Sequence, residues 1–221
     1  MISPVCLAPP RGRPLRVLCL GAHCDDIEIG CGGAVLRLVE TFPEVACDWI
    51  VFSSNGERRQ EASRSAAAFL EGIPESDRMI AVESFRESYF PWVGAEIKDY
   101  FQERLAARPG PDLIFTHCRD DRHQDHRIIS DLTWNAFRDH MILEYEIPKY
   151  DGDLTTPNLY VALGETTVER KVGLLLEHFP SQRSRRWFDA DTFKGLMRLR
   201  GVESNAPERF AEAFHCRKAV L

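Results

Sequence analysis

The run LRVLCLG, Leu15–Gly21, is almost entirely apolar and spans only seven residues. A strand with one wet face alternates apolar and polar side chains, so an unbroken short run reads as a strand covered on both faces. Such a strand needs helices above and below it, which restricts the chain to layered α/β arrangements. The remaining sequence keeps the alternation. Residues 32–41 are helical in pattern, and Cys47–Phe52 is a second buried run. Ser54-Asn55-Gly56-Glu57 has S-x-x-E capping-box spacing, opening a helix through Leu70. Met79–Val82 is a weaker strand, and Ile97, Phe101 and Leu105 recur at helical spacing before Pro109-Gly110-Pro111 stops the helix. Asp112–Thr116, a helix marked by Ile128, Ile129, Leu132 and Ala136, and Met141–Tyr145 follow. Asn158–Leu163 reads as a strand and Thr166–Glu169 as another capping box. Thr192–Leu199 reads as a helix, and Phe214–Leu221 as a strand or tail. Strands separated by helices imply right-handed crossovers and a mostly parallel sheet, a Rossmann-like three-layer α/β/α sandwich. The division expected is a Pro-rich tail over residues 1–14 and one domain over residues 15–221.

Two segments concentrate residues able to hold a metal, and each follows an expected strand. The first is GAHCDDIEIGCGG, residues 21–33; the second is THCRDDRHQDH, residues 116–126. Sites in open α/β sheets form beyond the carboxyl ends of strands where the strand order reverses. With the order 3-2-1-4-5, strands one and four are neighbours at that reversal, and the two loops meet. A catalytic zinc centre uses about three protein ligands and keeps one position open. His23, Asp26 and His126 supply two imidazoles and a carboxylate. Asp25, adjacent to a ligand, is left free to take a proton; His123 is a second acid/base or an oxyanion donor; Asp125 could orient an imidazole. Gly30-Cys31-Gly32-Gly33 lacks G-x-G-x-x-G spacing, so a nucleotide cofactor is not indicated, and its glycines read as sites of close backbone approach at a helix start.

These two segments resemble the LmbE-like, or PIG-L, family of metal-dependent N-deacetylases. The family's A-H-P-D-D and H-x-D-H motifs appear here as Ala22-His23-Cys24-Asp25-Asp26 and His123-Gln124-Asp125-His126. The resemblance implies one Zn2+ on His23, Asp26 and His126, a general base at Asp25 and an oxyanion-stabilising imidazole at His123. It implies that Arg58, in the R-x-x-E of Arg58–Glu61, touches substrate hydroxyls, and that the substrate is a small N-acylated amino sugar. Cys24 stands where the family has proline. It relaxes the loop and puts a thiol beside the metal, where a fourth ligand would close the open position. Adjacent side chains diverge, which argues against that role.

Further candidates for substrate contact are Glu28, Glu87 in FRESYF and His215 in AEAFHC. Glu28 has an alternative as a helix-dipole partner and Glu87 as an exposed carboxylate. The run Arg183-Ser184-Arg185-Arg186 suits an anionic group or a solvated face. His117, His140 and His178 read as structural. Net charge is −6, so a nucleic-acid partner is not expected. Seven scattered cysteines without C-x-x-C spacing indicate neither a disulfide framework nor a zinc finger. Residues 1–14 hold four prolines and no apolar core of signal-peptide type, and no apolar run is long enough to span a membrane. A cytoplasmic protein is the expectation, and a homo-oligomer is allowed. Two other readings share the 2-His-1-carboxylate set: a non-haem iron enzyme, and a sugar-binding protein without catalysis. The free carboxylate of Asp25 counts against both.

Overall fold

The computed structural model describes residues 12–219; most of the Pro-rich tail, and the last two residues of the expected final strand, lie outside that range. Strands β1 (Leu15–Gly21), β2 (Val45–Val51), β3 (Arg78–Val82), β4 (Leu113–His117), β5 (Met141–Tyr145), β6 (Leu159–Leu163) and β7 (Phe210–Cys216) form one sheet in the order β3-β2-β1-β4-β5-β7-β6. Strands β1 to β5 are parallel, in the expected order, and β7 runs antiparallel between β5 and β6.

Successive residues of β1 divide between two cores, as a doubly covered strand must. Val17 and Cys19 pack with helices α1 (Asp26–Thr41), α2 (Gly56–Phe69), α5 (Glu165–His178) and α6 (Ala190–Glu203). Leu18 and Leu20 pack on the opposite face with Ile97 and Phe101 of helix α3 (Gly94–Tyr100) and its extension, and with Ile129 of α4 (Gln124–Ala136). The helices lie on both faces of a mostly parallel sheet.

Four local expectations shift. Helix α1 starts at Asp26, not Gly32, because the glycines that lower its propensity sit at contacts where a side chain would not fit. A Cβ at Gly30 would lie 2.1 Å from the Tyr145 ring, and one at Gly33 would lie 2.8 Å from Glu212 Oε1. Those glycines act inside the helix, not at its start. The cap of α2 is Asn55, whose side chain accepts the Arg58 N–H, while the Ser54 hydroxyl donates to the Glu83 carbonyl. Helix α5 begins at Glu165 after Gly164, with no side-chain cap at Thr166. The last strand begins at Phe210, earlier than expected, so His215 lies within β7.

Glu212 of β7 reaches α1 directly. Its carboxylate accepts the Gly33 and Ala34 N–H groups at 2.8 and 2.7 Å and receives Lys171 Nζ at 2.5 Å; Lys171 also donates to the Ile29 carbonyl at 2.7 Å. Both charges are buried, so each depends on the other for compensation. Helix α1, which carries Asp26, is thereby tied to the antiparallel part of the sheet.

Candidate active site

Residues 22–26 leave the carboxyl end of β1, and residues 118–126 leave the end of its neighbour β4. His23, Asp26 and His126 are buried and converge there. His23 Nδ1 lies 3.1 Å from His126 Nε2 and 3.3 Å from Asp26 Oδ2, and His126 Nε2 lies 3.5 Å from the same oxygen. Each imidazole is held from behind by a carboxylate. His23 Nε2 is 3.2 Å from Asp125 Oδ2, and His126 Nδ1 is 2.9 Å from Asp121 Oδ2. Those bonds place a proton on each far nitrogen, so the near nitrogens turn lone pairs toward each other and toward the Asp26 carboxylate. Three electron-rich atoms facing one another repel unless a cation or a proton lies among them.

The charge states fit that arrangement. Burial opposes ionisation of Asp26, but the imidazoles of His126, His117 and His23 hold it well below the usual carboxylate range. Burial would also depress His23; Asp26 and Asp125 outweigh it and raise the group to about 10. Burial, with His117 adding to it, takes His126 down to about 3. His123 caps α4 by accepting the Asp125 N–H at its Nδ1, 3.2 Å away, which leaves Nε2 as the protonated nitrogen. Burial and the neighbouring His23 charge lower its pKa, so the ring is neutral yet still a donor.

Asp25 is buried, and its Oδ1 accepts Arg58 Nη2 at 2.8 Å. Burial raises its pKa despite the arginine. Asp125 is fixed by N–H bonds from Ser88 at 2.6 Å and Phe90 at 3.1 Å. Glu87 is exposed on that loop, close enough for its charge to act on His23 and Arg58.

The structure does not bring every expected residue to the cluster. Glu28 is fully buried and neither carboxyl oxygen has a partner among the described residues, so it does not reach the cleft surface. Burial raises it to about 8, which keeps it neutral near pH 7 and removes the charge the dipole role requires. His215 is half-buried and bonds Thr155 Oγ1 at 2.6 Å, with no hydrogen bond to the imidazoles among the described residues. Arg183, Arg185 and Arg186 are exposed, and Arg183 donates to the Leu176 carbonyl. Conversely, His117 is part of the site wall. It stacks on His126 with centroids 3.9 Å apart and lies 3.2 Å from Asp26 Oδ2. Its Nε2 accepts the Ala22 N–H at 2.9 Å, which commits the lone pair that a metal would need. Two residues absent from the expected set, Asp121 and Lys149, stand behind His126, and Asp121 is itself held in place. Lys149 Nζ lies 2.9 Å from its Oδ2, and the His123 N–H donates to its Oδ1 at 2.7 Å. The acidic pair within RDDRHQDH signalled Asp121; nothing in the sequence signalled Lys149.

Cys24 is buried, donates its thiol to the Ser53 carbonyl at 3.3 Å, and is raised to about 12 by burial. It is a protonated packing group. Cys24→Ala should therefore retain metal content and most activity and lose about 1 kcal/mol of stability. Loss of bound metal, measured by elemental analysis, would overturn this.

A family model described as PIG-L, GlcNAc-PI de-N-acetylase, matches residues 18–137, which include both loops and the whole imidazole cluster. The chain belongs to this family. The uncharacterized deacetylase YaiS of Escherichia coli K12 is 27% identical to this PIG-L chain over 137 residues, covering 60% of the chain and 74% of that protein. The N,N'-diacetylchitobiose deacetylase of Pyrococcus horikoshii superposes with a TM-score of 0.65 at 19% identity, over 91% of this chain and 83% of that one. GalB of Pseudomonas putida KT2440, a 4-carboxy-2-hydroxymuconate hydratase, superposes with a TM-score of 0.65 at 14% identity, over 93% and 97%. A hydratase and a deacetylase on one backbone show that the architecture alone does not fix the chemistry. Among the described residues no helix of this PIG-L chain is long and apolar enough to cross a membrane.

Proposed function

We propose that the chain is a metal-dependent amidohydrolase that removes an N-acetyl or other N-acyl group from an amino-sugar-containing small molecule, with zinc as the resident ion. The carrying observation is the triangle of His23 Nδ1, His126 Nε2 and Asp26 Oδ2, with sides of 3.1–3.5 Å. Tetrahedral zinc bonds of about 2.0–2.1 Å put ligand atoms about 3.3–3.4 Å apart, so the donor set fits without rearrangement. The triad Asp26, His117 and His126 shares two members, but His117 has no lone pair to spare. One N/N/O face with a further position open is the arrangement of a catalytic site.

When bound, the ion supplies a Lewis acid that polarises an acyl carbonyl and makes a water nucleophilic near neutral pH. Asp25, steadied by Arg58, is placed to accept the proton of the attacking water, and burial has strengthened it as a base. His123 donates from Nε2 to the developing oxyanion, a contribution of about 3–4 kcal/mol in comparable sites. Because Nδ1 is occupied by the Asp125 N–H, this donation needs no prior protonation of the ring. The amide C–N bond breaks as the amine takes the proton held by Asp25, giving a free amine and a carboxylate. Asp125 and Asp121 hold the two imidazoles in register. The remaining Arg58 donors and Glu87 are our candidates for contacts to sugar hydroxyls.

The test is amine release from a panel of N-acetylated amino-sugar conjugates by protein stripped with a chelator and then reconstituted. Release restored by zinc supports the reading. A zinc-replete protein inert on the whole panel would sink it.

A further inference from the structure

Six large hydrophobic side chains are exposed among the described residues, and four lie on the two loops that hold the site's supporting carboxylates. Tyr89 and Trp92 belong to the loop whose Ser88 and Phe90 amides hold Asp125. Tyr150 and Leu154 belong to the loop whose Lys149 holds Asp121. Large exposed apolar groups are informative only when gathered, and Tyr89 and Trp92 are gathered on the loop whose amides hold Asp125. Trp92 is 71% exposed, yet it is not loosely held. Its backbone N–H donates to the Tyr89 carbonyl at 2.9 Å, the two rings lie 5.7 Å apart, and the Arg86 guanidinium covers the Tyr89 ring at 3.5 Å. Ser88 sits at a φ of 65°, in the left-handed region that a serine seldom adopts, and its amide still meets Asp125. A strained residue with a bonded amide, followed by a braced aromatic pair, is a preorganised surface.

We propose that Tyr89 and Trp92 form an outer subsite that takes an apolar, ring-bearing group attached to the amino sugar. This rests on the amidohydrolase reading for its inner half, and it goes further by assigning part of the substrate's selectivity to two residues. The occupant is a flat apolar group for a physical reason. Two aromatic rings with a cation over one of them offer stacking area and little hydrogen bonding. Continuity decides the location: the Ser88 amide and the His23 ring bond the same carboxylate oxygen, Asp125 Oδ2.

The experiment compares methyl and p-nitrophenyl glycosides of N-acetylglucosamine, measured as amine release and, separately, as binding by calorimetry to the zinc-replete protein. Wild type should favour the aryl glycoside by about five- to tenfold in kcat/KM and in Kd, as aromatic stacking typically gives. Trp92→Ala should abolish that preference through KM, and Trp92→Phe should restore most of it. Leu199→Ala, an exposed apolar position on α6, should leave the preference intact. Equal treatment of the two glycosides by wild type, or an unchanged preference in Trp92→Ala, overturns the subsite. If neither glycoside is hydrolysed, the amidohydrolase reading fails while calorimetry still decides the subsite. Failure of the aryl glycoside to bind overturns the subsite too.

Discussion

Asp26→Asn should empty the site of metal at ordinary zinc concentrations and abolish activity, with partial recovery in excess zinc. The carboxylate carries the only formal negative charge in the proposed ligand set, and three imidazoles hold it ionised. Its Oδ2 also accepts the His23 N–H at 2.6 Å, which fixes the loop. An asparagine keeps an acceptor there but removes the charge. Loss of even an outer-sphere partner typically weakens metal binding about 10–100-fold, so loss of a ligand should exceed that. Metal competition with a chromophoric chelator measures the affinity directly. An Asp26→Asn protein with wild-type affinity for zinc would remove Asp26 from the ligand set.

Asp25→Asn should behave in the opposite way: metal stays and turnover goes. The substitution is nearly isosteric, its remaining carbonyl oxygen can still accept from Arg58, and all three proposed ligands are untouched. General-base removal lowers kcat by about 10²–10⁴-fold with little change in KM. The acidic limb of the pH–rate profile should also disappear. A base works ionised, so wild-type rate falls as pH drops through its pKa, and the variant has no such group to protonate. Arg58 then faces no anion in a largely buried position, and some loss of stability should accompany the effect. A kcat within a fewfold of wild type, or recovery in excess zinc, would move the base to His123 or exchange the roles of Asp25 and Asp26.

The two residues are neighbours in sequence, and the structure shows why they diverge in role. Asp26 turns inward at the first residue of α1 among three imidazoles, while Asp25, at the cap position, turns to Arg58 of α2. That much was legible, because the short apolar runs of β1 and β4 place their trailing loops together whenever the sheet reverses between them. Partners from distant segments were not. Lys149 is a lone lysine beyond the second loop, and only the path of the chain after β5 brings it to Asp121. His117 read as structural, yet it ends β4, and that end is where the site begins. Glu28 read as a substrate contact or a helix-dipole partner, but helical rotation carries it beneath the surface. The direction of β7 was hidden for a simpler reason: alternation and apolar content do not encode whether a strand runs up or down.

That last strand has a consequence for how the molecule is made. Residues 210–216 fill the gap between β5 and β6, and Glu212 among them supplies the buried anion that meets Lys171 and the Gly33 amide. During synthesis the chain emerges from its amino end, at about 5–20 residues per second. Every ligand and its carboxylate support is therefore available well before β7, while the outer edge of β5 stays unpaired and β6 has no neighbour. The growing protein must hold an open sheet edge, with a buried lysine still lacking its counter-charge, until β7 arrives. Completion of the sheet and fixing of the helix that carries Asp26 are thus one event, and it waits for a strand that follows the other six in sequence.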